Sequence, residues 1–286
     1  MPAVRGHPCP RVSFDFTQGR SKLPWVSIEM FTHALVSPPA PNFAKGLTTV
    51  THLGAPDYER ALEQHDAYCA ALEQCGLALT RLPADHDHPD STFVEDTAVI
   101  VNDCAVLSRP GAASRLGEVT RMRETLRSFF PTLYEIQPPG TLDGGDVCEA
   151  GRNLFIGISE RTNEAGAAQL TQIVARVGYT ASLVDIRNTR ALLHLKSGIS
   201  YLGDNRLVII EALANRSEFA GYELVEADAR DEYAANCVRV NHHVLLACGY
   251  PRLAQQLREL GQQIIEIEMS EFQKMDGGLS CLSLRF

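Results

Sequence analysis

Residues 278–286 read Gly278-Leu279-Ser280-Cys281-Leu282-Ser283-Leu284-Arg285-Phe286, an alternating run behind a Gly-Gly turn that predicts a β-strand. The elements that complete its unit stand at the other end of the sequence. Met30-Phe31-Thr32-His33-Ala34-Leu35-Val36 reads as a second strand. After Pro56 a helix follows, with Tyr58, Leu62, His65, Cys69 and Leu72 on one face and Gly76 as its stop.

Between these ends one plan recurs: strand, polar turn, strand, helix. The first copy runs Phe93–Val101, turns at Asn102-Asp103, continues in Ala105–Leu107, and leads past Arg109-Pro110-Gly111 into a helix with Val119, Met122, Leu126 and Phe129 inward. The second has Asp146–Cys148, the turn Gly151-Arg152-Asn153, Leu154–Ile158, and a helix burying Ala167, Leu170, Val174 and Val177 before Gly178. The third pairs Ile199–Leu202 with Leu207–Ile210 about Gly203-Asp204-Asn205, with little sign of its helix. The fourth pairs Cys237–Val240 with Val244–Ala247, then places Leu253, Leu257 and Leu260 on a helix after Pro251.

Each unit buries one face and needs neighbours to cover it, and a spacing of roughly forty to fifty residues lies in the range of repeat architectures. A last strand that completes the first unit favours a closed ring. The alternative is an ordinary α/β sandwich in which the hairpin and helix recur by chance. Residues 1–29, with Gly6, Pro8, Pro10, Gly19 and Pro24, read as an irregular extension outside a single domain at 30–286.

Composition narrows the function classes. The chain of 286 residues is 45% apolar and 21% charged, which suits a large globular core. A net charge of −9, without a Lys/Arg run, argues against nucleic acid as a partner and suits a small cationic ligand. No stretch predicts a membrane span or a signal peptide. The eight cysteines are scattered without a CxxC pair. That spacing argues against a disulfide framework or zinc ribbon and for a reducing, cytoplasmic setting.

Four stretches could carry chemistry. Asp90, Glu95 and Asp96 crowd acids against an apolar run; they form either a guanidinium pocket or a solvated strand end with Glu95 and Asp96 on opposite faces. Leu142-Asp143-Gly144-Gly145-Asp146 either presents an acid at a strand mouth or makes a tight turn, its glycines allowing close approach and unusual dihedrals. His194, flanked by leucines, is either a satisfied core histidine or a residue at a cavity opening beside Ser197-Gly198. Cys281, behind Gly277-Gly278, has the entry a nucleophile needs. Cys281, His194 and an acid would make nucleophile, proton carrier and orienting group. His86, His88, His242 and His243 complete no ligand set, so no metal site is expected.

Taken together, Phe93-Val94-Glu95-Asp96, Arg109-Pro110-Gly111-Ala112, Leu142-Asp143-Gly144-Gly145-Asp146, Arg161-Thr162-Asn163, Leu193-His194-Leu195-Lys196, Ala234-Ala235-Asn236-Cys237 and Asp276-Gly277-Gly278-Leu279-Ser280-Cys281 give the chain from Met30 to Phe286 a family resemblance. It resembles the dimethylarginine dimethylaminohydrolases of bacterial type. The resemblance implies a five-bladed α/β propeller of ββαβ modules with pseudo-fivefold symmetry, the pentein fold of the guanidine-modifying superfamily. It also implies hydrolysis of methylated arginines to citrulline through a covalent thiouronium, with no cofactor. By motif, Cys281 falls where the family has its nucleophile, His194 its general acid/base and Asp143 the acid beside it. Asp90 and Asp96, with Glu95 beside them, would hold the guanidinium. Arg115 and Arg161 would grip the α-carboxylate in bidentate fashion. Leu47 falls in the closing loop, and the Met275 carbonyl would meet the α-amino group. The resemblance is compatible with a homodimer and leaves the oligomeric state open. Two rival readings are a deiminase-like enzyme acting on another guanidine substrate, arginine included, and a non-catalytic arginine-binding protein on the same scaffold.

Overall fold

In the computed structural model, which describes residues 30–189 and 192–286, hairpins form where polar residues accept a left-handed backbone. Asn102 (φ 49°), Gly151 (φ 66°), Asp204 and Asn205 (φ 48° and 60°) and Asn241 (φ 55°) turn the chain, and Gly, Asn and Asp are the residues least strained there. The extension read at 1–29 lies outside the described residues.

The first elements in chain order are β1 (His33–Val36), α1 (Tyr58–Gln74), β2 (Ala78–Arg81), β3 (Ala98–Val101), β4 (Cys104–Leu107), α2 (Glu118–Leu126), β5 (Leu133–Glu135), β6 (Val147–Ala150), β7 (Asn153–Ile158), α3 (Glu164–Ala175) and β8 (Thr180–Asp185). There follow β9 (Ile199–Gly203), β10 (Arg206–Ile210), α4 (Glu211–Ala214), β11 (Glu223–Ala227), β12 (Val238–Val240), β13 (His243–Ala247), α5 (Pro251–Glu259), β14 (Gln263–Ile267), α6 (Ser270–Gln273) and β15 (Ser283–Arg285). They make five three-stranded sheets. In four, an antiparallel hairpin leads through helix to a third strand parallel to the hairpin's second strand. The fifth joins the two ends: β1 lies antiparallel to β15, Ala34 opposite Arg285, and parallel to β2. The fold is the five-bladed α/β propeller.

Local signals explain the helices. Asp57 caps α1 by accepting from the Arg60 N–H, and Asn163 caps α3 by accepting from Gly166 N–H. Pro251 sits in the first turn of α5, which buries Leu253, Ala254 and Leu257. The buried face of α1 is Ala61, His65, Tyr68, Cys69 and Leu72, turned slightly from the face expected through Tyr58 and Leu62. The seam between the chain ends is aromatic: Phe286 meets Phe129 and Phe130 edge-on at 5.1 and 5.0 Å. A fully buried phenylalanine contributes about 1.5–3 kcal/mol, and Phe286, half-buried, contributes less than that.

The structure corrects the sequence reading where strands begin. Phe93–Val101 was expected to be extended throughout, but Val94–Thr97 is a 3-10 turn and the strand starts at Ala98. Extended backbone would send Glu95 and Asp96 to opposite faces; the turn buries both, each 3% exposed. Likewise Ser280–Leu282 is a 3-10 turn, and only Ser283–Arg285 of the last run is strand.

The same device recurs in every blade. Turns at Val94–Thr97, Gly144–Asp146, Leu195–Ser197, Glu232–Ala235 and Ser280–Leu282 enter β3, β6, β9, β12 and β15. From Ser280–Leu282 through Val94–Thr97, Gly144–Asp146 and Leu195–Ser197 to Glu232–Ala235, successive turns touch. One end of the propeller is thus rimmed by the residues in and beside these turns.

Candidate active site

Four of the five turns bring the candidate residues with them. Glu95 and Asp96 lie within the first, Asp143 precedes the second, His194 precedes the third, and Cys281 sits in the last. The fifth supplies Asn236, whose Oδ1 accepts the Ser280 N–H at 2.9 Å and so steadies the turn that carries Cys281. Loops between strands add the rest of a pocket of about 370 Å³, mouth included. Its lining includes Leu47, Asp90, Asp96, Arg115, Arg161, His194, Met275 and Cys281. Phe93, Leu193, Asp276 and Gly277 also line it; these were not singled out from sequence, although their motifs contain them.

The glycines of Asp143-Gly144-Gly145-Asp146 serve close approach. A Cβ on Gly144 would lie 2.0 Å from the Glu95 carbonyl oxygen, and one on Gly145 would lie 2.9 Å from the His194 ring. Neither has positive φ, so the unusual dihedrals expected there are not found.

His194 is 8% exposed. Its Nε2 meets Asp143 Oδ2 at 3.0 Å, while Asp143 Oδ1 accepts the Gly111 N–H at 2.8 Å. Burial opposes the imidazolium, but Asp96, Asp143 and Asp146 outweigh it and raise the His194 pKa from 6.5 to about 9. This histidine therefore adds stability in full below pH 6.5 and loses it as pH rises through about 9. Between pH 7 and 10 the wild-type melting temperature should fall further than that of His194→Gln; parallel curves would exclude the linkage.

Cys281 is half-buried, whereas Cys69, Cys75, Cys104, Cys148 and Cys237 are buried. The Gly278 N–H points to its sulfur at 3.4 Å. Burial, then Glu95 and Asp96, push its pKa up to about 12, against the Gly278 N–H and Lys196. The resting pair is thus thiol and imidazolium. Glu95 is not part of the pocket lining: its Oε1 accepts Lys196 Nζ at 2.6 Å and its Oε2 accepts the Ser280 hydroxyl at 2.7 Å.

The two arginines differ. Arg115 is 4% exposed. Its Nε and Nη2 bond Glu118, Nη2 also reaches the Phe93 and Asp90 carbonyls, and Nη1 meets Asp96 at 2.5 Å. A guanidinium has five N–H groups, and a bidentate grip on a carboxylate needs two that are parallel and uncommitted; Arg115 as placed lacks them, contrary to the expectation from sequence. Arg161 lines the same pocket, and among the described residues its side chain has no hydrogen-bond partner. Arg115→Met should cost about 3–5 kcal/mol, because it strands buried Asp96 and Glu118, and should lower the melting temperature by about 10 °C. A shift below about 2 °C in a thermal melt would refute the structural role.

Leu47 enters through its backbone, whose N–H donates to Asp90 Oδ1 at 3.0 Å. Burial raises the Asp90 pKa, against Arg115, this N–H and Arg161. Beyond Leu47 the loop is tied down by the Thr49 hydroxyl on Asp276 at 2.9 Å and the Thr48 hydroxyl on the Lys274 carbonyl at 3.0 Å. Ligand atoms of Asp96, Asp143 and His194 lie within 4.8 Å of one another. Each already has protein partners, Arg115 and Gly145 N–H on Asp96 and Gly111 N–H on Asp143. Among the described residues, no helix is long and apolar enough to cross a membrane.

A ring of blades whose entry turns converge on one acidic pocket beside a thiol and an imidazole is the design of the guanidine-modifying penteins. The arginine deiminase family model matches residues 86–247. The dimethylarginine dimethylaminohydrolase of Pseudomonas aeruginosa is 43% identical over 258 residues, 90% of this chain and 100% of that protein. The enzyme of the same name from Streptomyces coelicolor is 34% identical over 254 residues, 88% of this chain and 96% of that protein. A solved structure of the Pseudomonas aeruginosa protein, as a mutant complexed with citrulline, superposes with a TM-score of 0.87 at 42% identity, covering 90% of this chain and 100% of that one. The chain belongs to the dimethylarginine dimethylaminohydrolase family.

Proposed function

We propose that this chain hydrolyses Nω-methylated arginines, asymmetric dimethylarginine and monomethylarginine, to citrulline and dimethylamine or methylamine, with Cys281 as nucleophile and His194 as proton carrier. One observation carries the reading: the pocket sets a thiol, an imidazole and buried carboxylates beside an uncommitted arginine, Arg161. That pattern matches an amino acid with a cationic side chain.

Asp96 and Asp90 orient the guanidinium plane toward the sulfur. Arg161 takes the α-carboxylate, and the Met275 carbonyl and the Leu47 loop enclose the α-amino end. Arg115 acts at one remove, as the counter-charge that fixes Asp96. The bound cation offsets the carboxylates that hold Cys281 as a thiol, so binding itself favours the thiolate, and the thiol's proton leaves to solvent. Sulfur attacks the guanidinium carbon. His194 gives its proton to the departing amine nitrogen, the C–N bond breaks, and a thiouronium remains on Cys281. Neutral His194 then takes a proton from water as its oxygen attacks the same carbon. The C–S bond breaks as the adduct's hydroxyl proton passes to the sulfur, so citrulline leaves and both the thiol and the imidazolium are restored.

This order of events predicts slow alkylation of the resting thiol. Iodoacetamide labelling of Cys281 at pH 7 should be sluggish, rise with pH towards 12, and accelerate at pH 7 when a non-reactive guanidinium ligand is bound without blocking the sulfur. Fast labelling of the unliganded protein at pH 7, assigned to Cys281 by peptide mapping, would contradict it.

The deciding assay is citrulline release from asymmetric dimethylarginine with arginine in parallel. Citrulline from the methylated substrate supports the proposal. The match to the arginine deiminase model gives arginine a claim as substrate, so citrulline mainly from arginine would move the assignment to a deiminase. Binding without product from either would leave an arginine-binding protein.

A further inference from the structure

Asp146 closes the motif Asp143-Gly144-Gly145-Asp146 but does not line the pocket. It is 0% exposed, and its acceptors are committed to two separate segments. Oδ1 accepts the Leu195 N–H at 2.9 Å, directly after His194. Oδ2 meets the Ser159 hydroxyl at 2.7 Å. The direction of that bond is fixed, because Ser159 Oγ already accepts the Arg161 N–H at 2.9 Å and the Thr162 N–H at 3.0 Å. Its two lone pairs are used, so its proton goes to Asp146. Gly157 makes the approach feasible: a Cβ there would lie 3.0 Å from Asp146 Oδ1 and 2.9 Å from the Leu195 Cβ.

One carboxylate therefore holds the backbone beside His194 and, through Ser159, the backbone of Arg161. These two residues serve opposite ends of the proposed substrate, the guanidinium and the α-carboxylate.

We infer that Asp146 is a positioning residue that sets the span between His194 and Arg161, and so selects guanidines carrying a carboxylate at arginine's distance. The inference rests on the proposed function. It differs from a purely structural role in one respect: each arm of the hub should affect a different kinetic constant.

The experiment compares wild type, Asp146→Asn and Ser159→Ala on asymmetric dimethylarginine across pH. Ser159→Ala releases the Arg161 and Thr162 N–H groups and leaves the Leu195 bond of Asp146 in place, so KM should rise about tenfold with kcat within about twofold. Asp146→Asn keeps an acceptor for Leu195 but turns a donor toward Ser159 and removes a negative charge near His194. Its kcat should fall on the order of 10²-fold, KM should rise, and the alkaline limb of kcat should move to lower pH, because the imidazolium loses support. Citrulline binding by calorimetry reads the Arg161 arm without turnover, and should weaken about tenfold in Ser159→Ala. A folded Asp146→Asn with unchanged constants and limb, or a Ser159→Ala that loses kcat at constant KM and citrulline affinity, would overturn the inference. If Asp146→Asn fails to fold, Ser159→Ala decides alone. No citrulline from wild type on either substrate would instead count against the proposed function, leaving the calorimetric arm to test the span.

Discussion

Serine in place of Cys281 will lower citrulline release on the order of 10⁴-fold or more, with a melting temperature close to wild type. The expectation follows from the surroundings of the sulfur. The Gly278 N–H and the Asn236-held turn fix the side chain from the backbone, so an isosteric hydroxyl should sit in the same place. A hydroxyl with Glu95 and Asp96 nearby cannot reach its anionic form at neutral pH, whereas the thiol needs only the substrate cation to approach it. Binding should persist, because Arg161, Asp90 and Asp96 are untouched. Mass-verified protein retaining a tenth of wild-type turnover would remove Cys281 from the proposed chemistry.

His194→Gly should separate the two halves of the reaction. Loss of a general acid and base costs about 10²–10⁴-fold, and the cost should fall most heavily on hydrolysis, where water must be deprotonated. With a substrate whose leaving group departs without help, the first half proceeds and the thiouronium accumulates on Cys281. Intact-protein mass spectrometry should then show one adduct that is absent from Cys281→Ser. Substrate bound by the variant with no adduct at any time point would argue against His194 as the group that activates water. Asp143 makes this deletion informative, since it holds the ring through Nε2 and has no hydrogen bond to the sulfur.

Much of this arrangement was legible in the sequence because hairpins announce themselves. Period-two runs bracketing Asn102, Gly151, Asp204-Asn205 and Asn241 gave four hairpins, and the pairing of β1 with β15 completed the ring. What stayed hidden has physical reasons. The third strand of each blade carries little pattern; Ala78–Arg81 is exposed or half-buried throughout. The 3-10 turns are a single turn long, too short for any period to register, yet they decide that Glu95 and Asp96 share the interior. The motifs pointed to Cys281, His194 and Asp143 as a set, while the fate of Arg115 depended on Glu118 and the carbonyls of Asp90 and Phe93 arriving around it. No local signal encodes that meeting. Asp146 was visible only as the end of a motif, because its partners Ser159 and Leu195 come from different blades.

The seam between β1 and β15 has a consequence for how the chain could be reconnected. Thr32 and His33 both donate their N–H groups to the Phe286 carbonyl, so the start of the described fold lies beside Phe286, and in a chain shortened to residues 30–286 a short linker could join them. The exposed Gly151-Arg152 turn could then serve as the new opening. Such a circular permutant would keep every blade and every pocket residue while moving Cys281 from the close of the sequence to its interior.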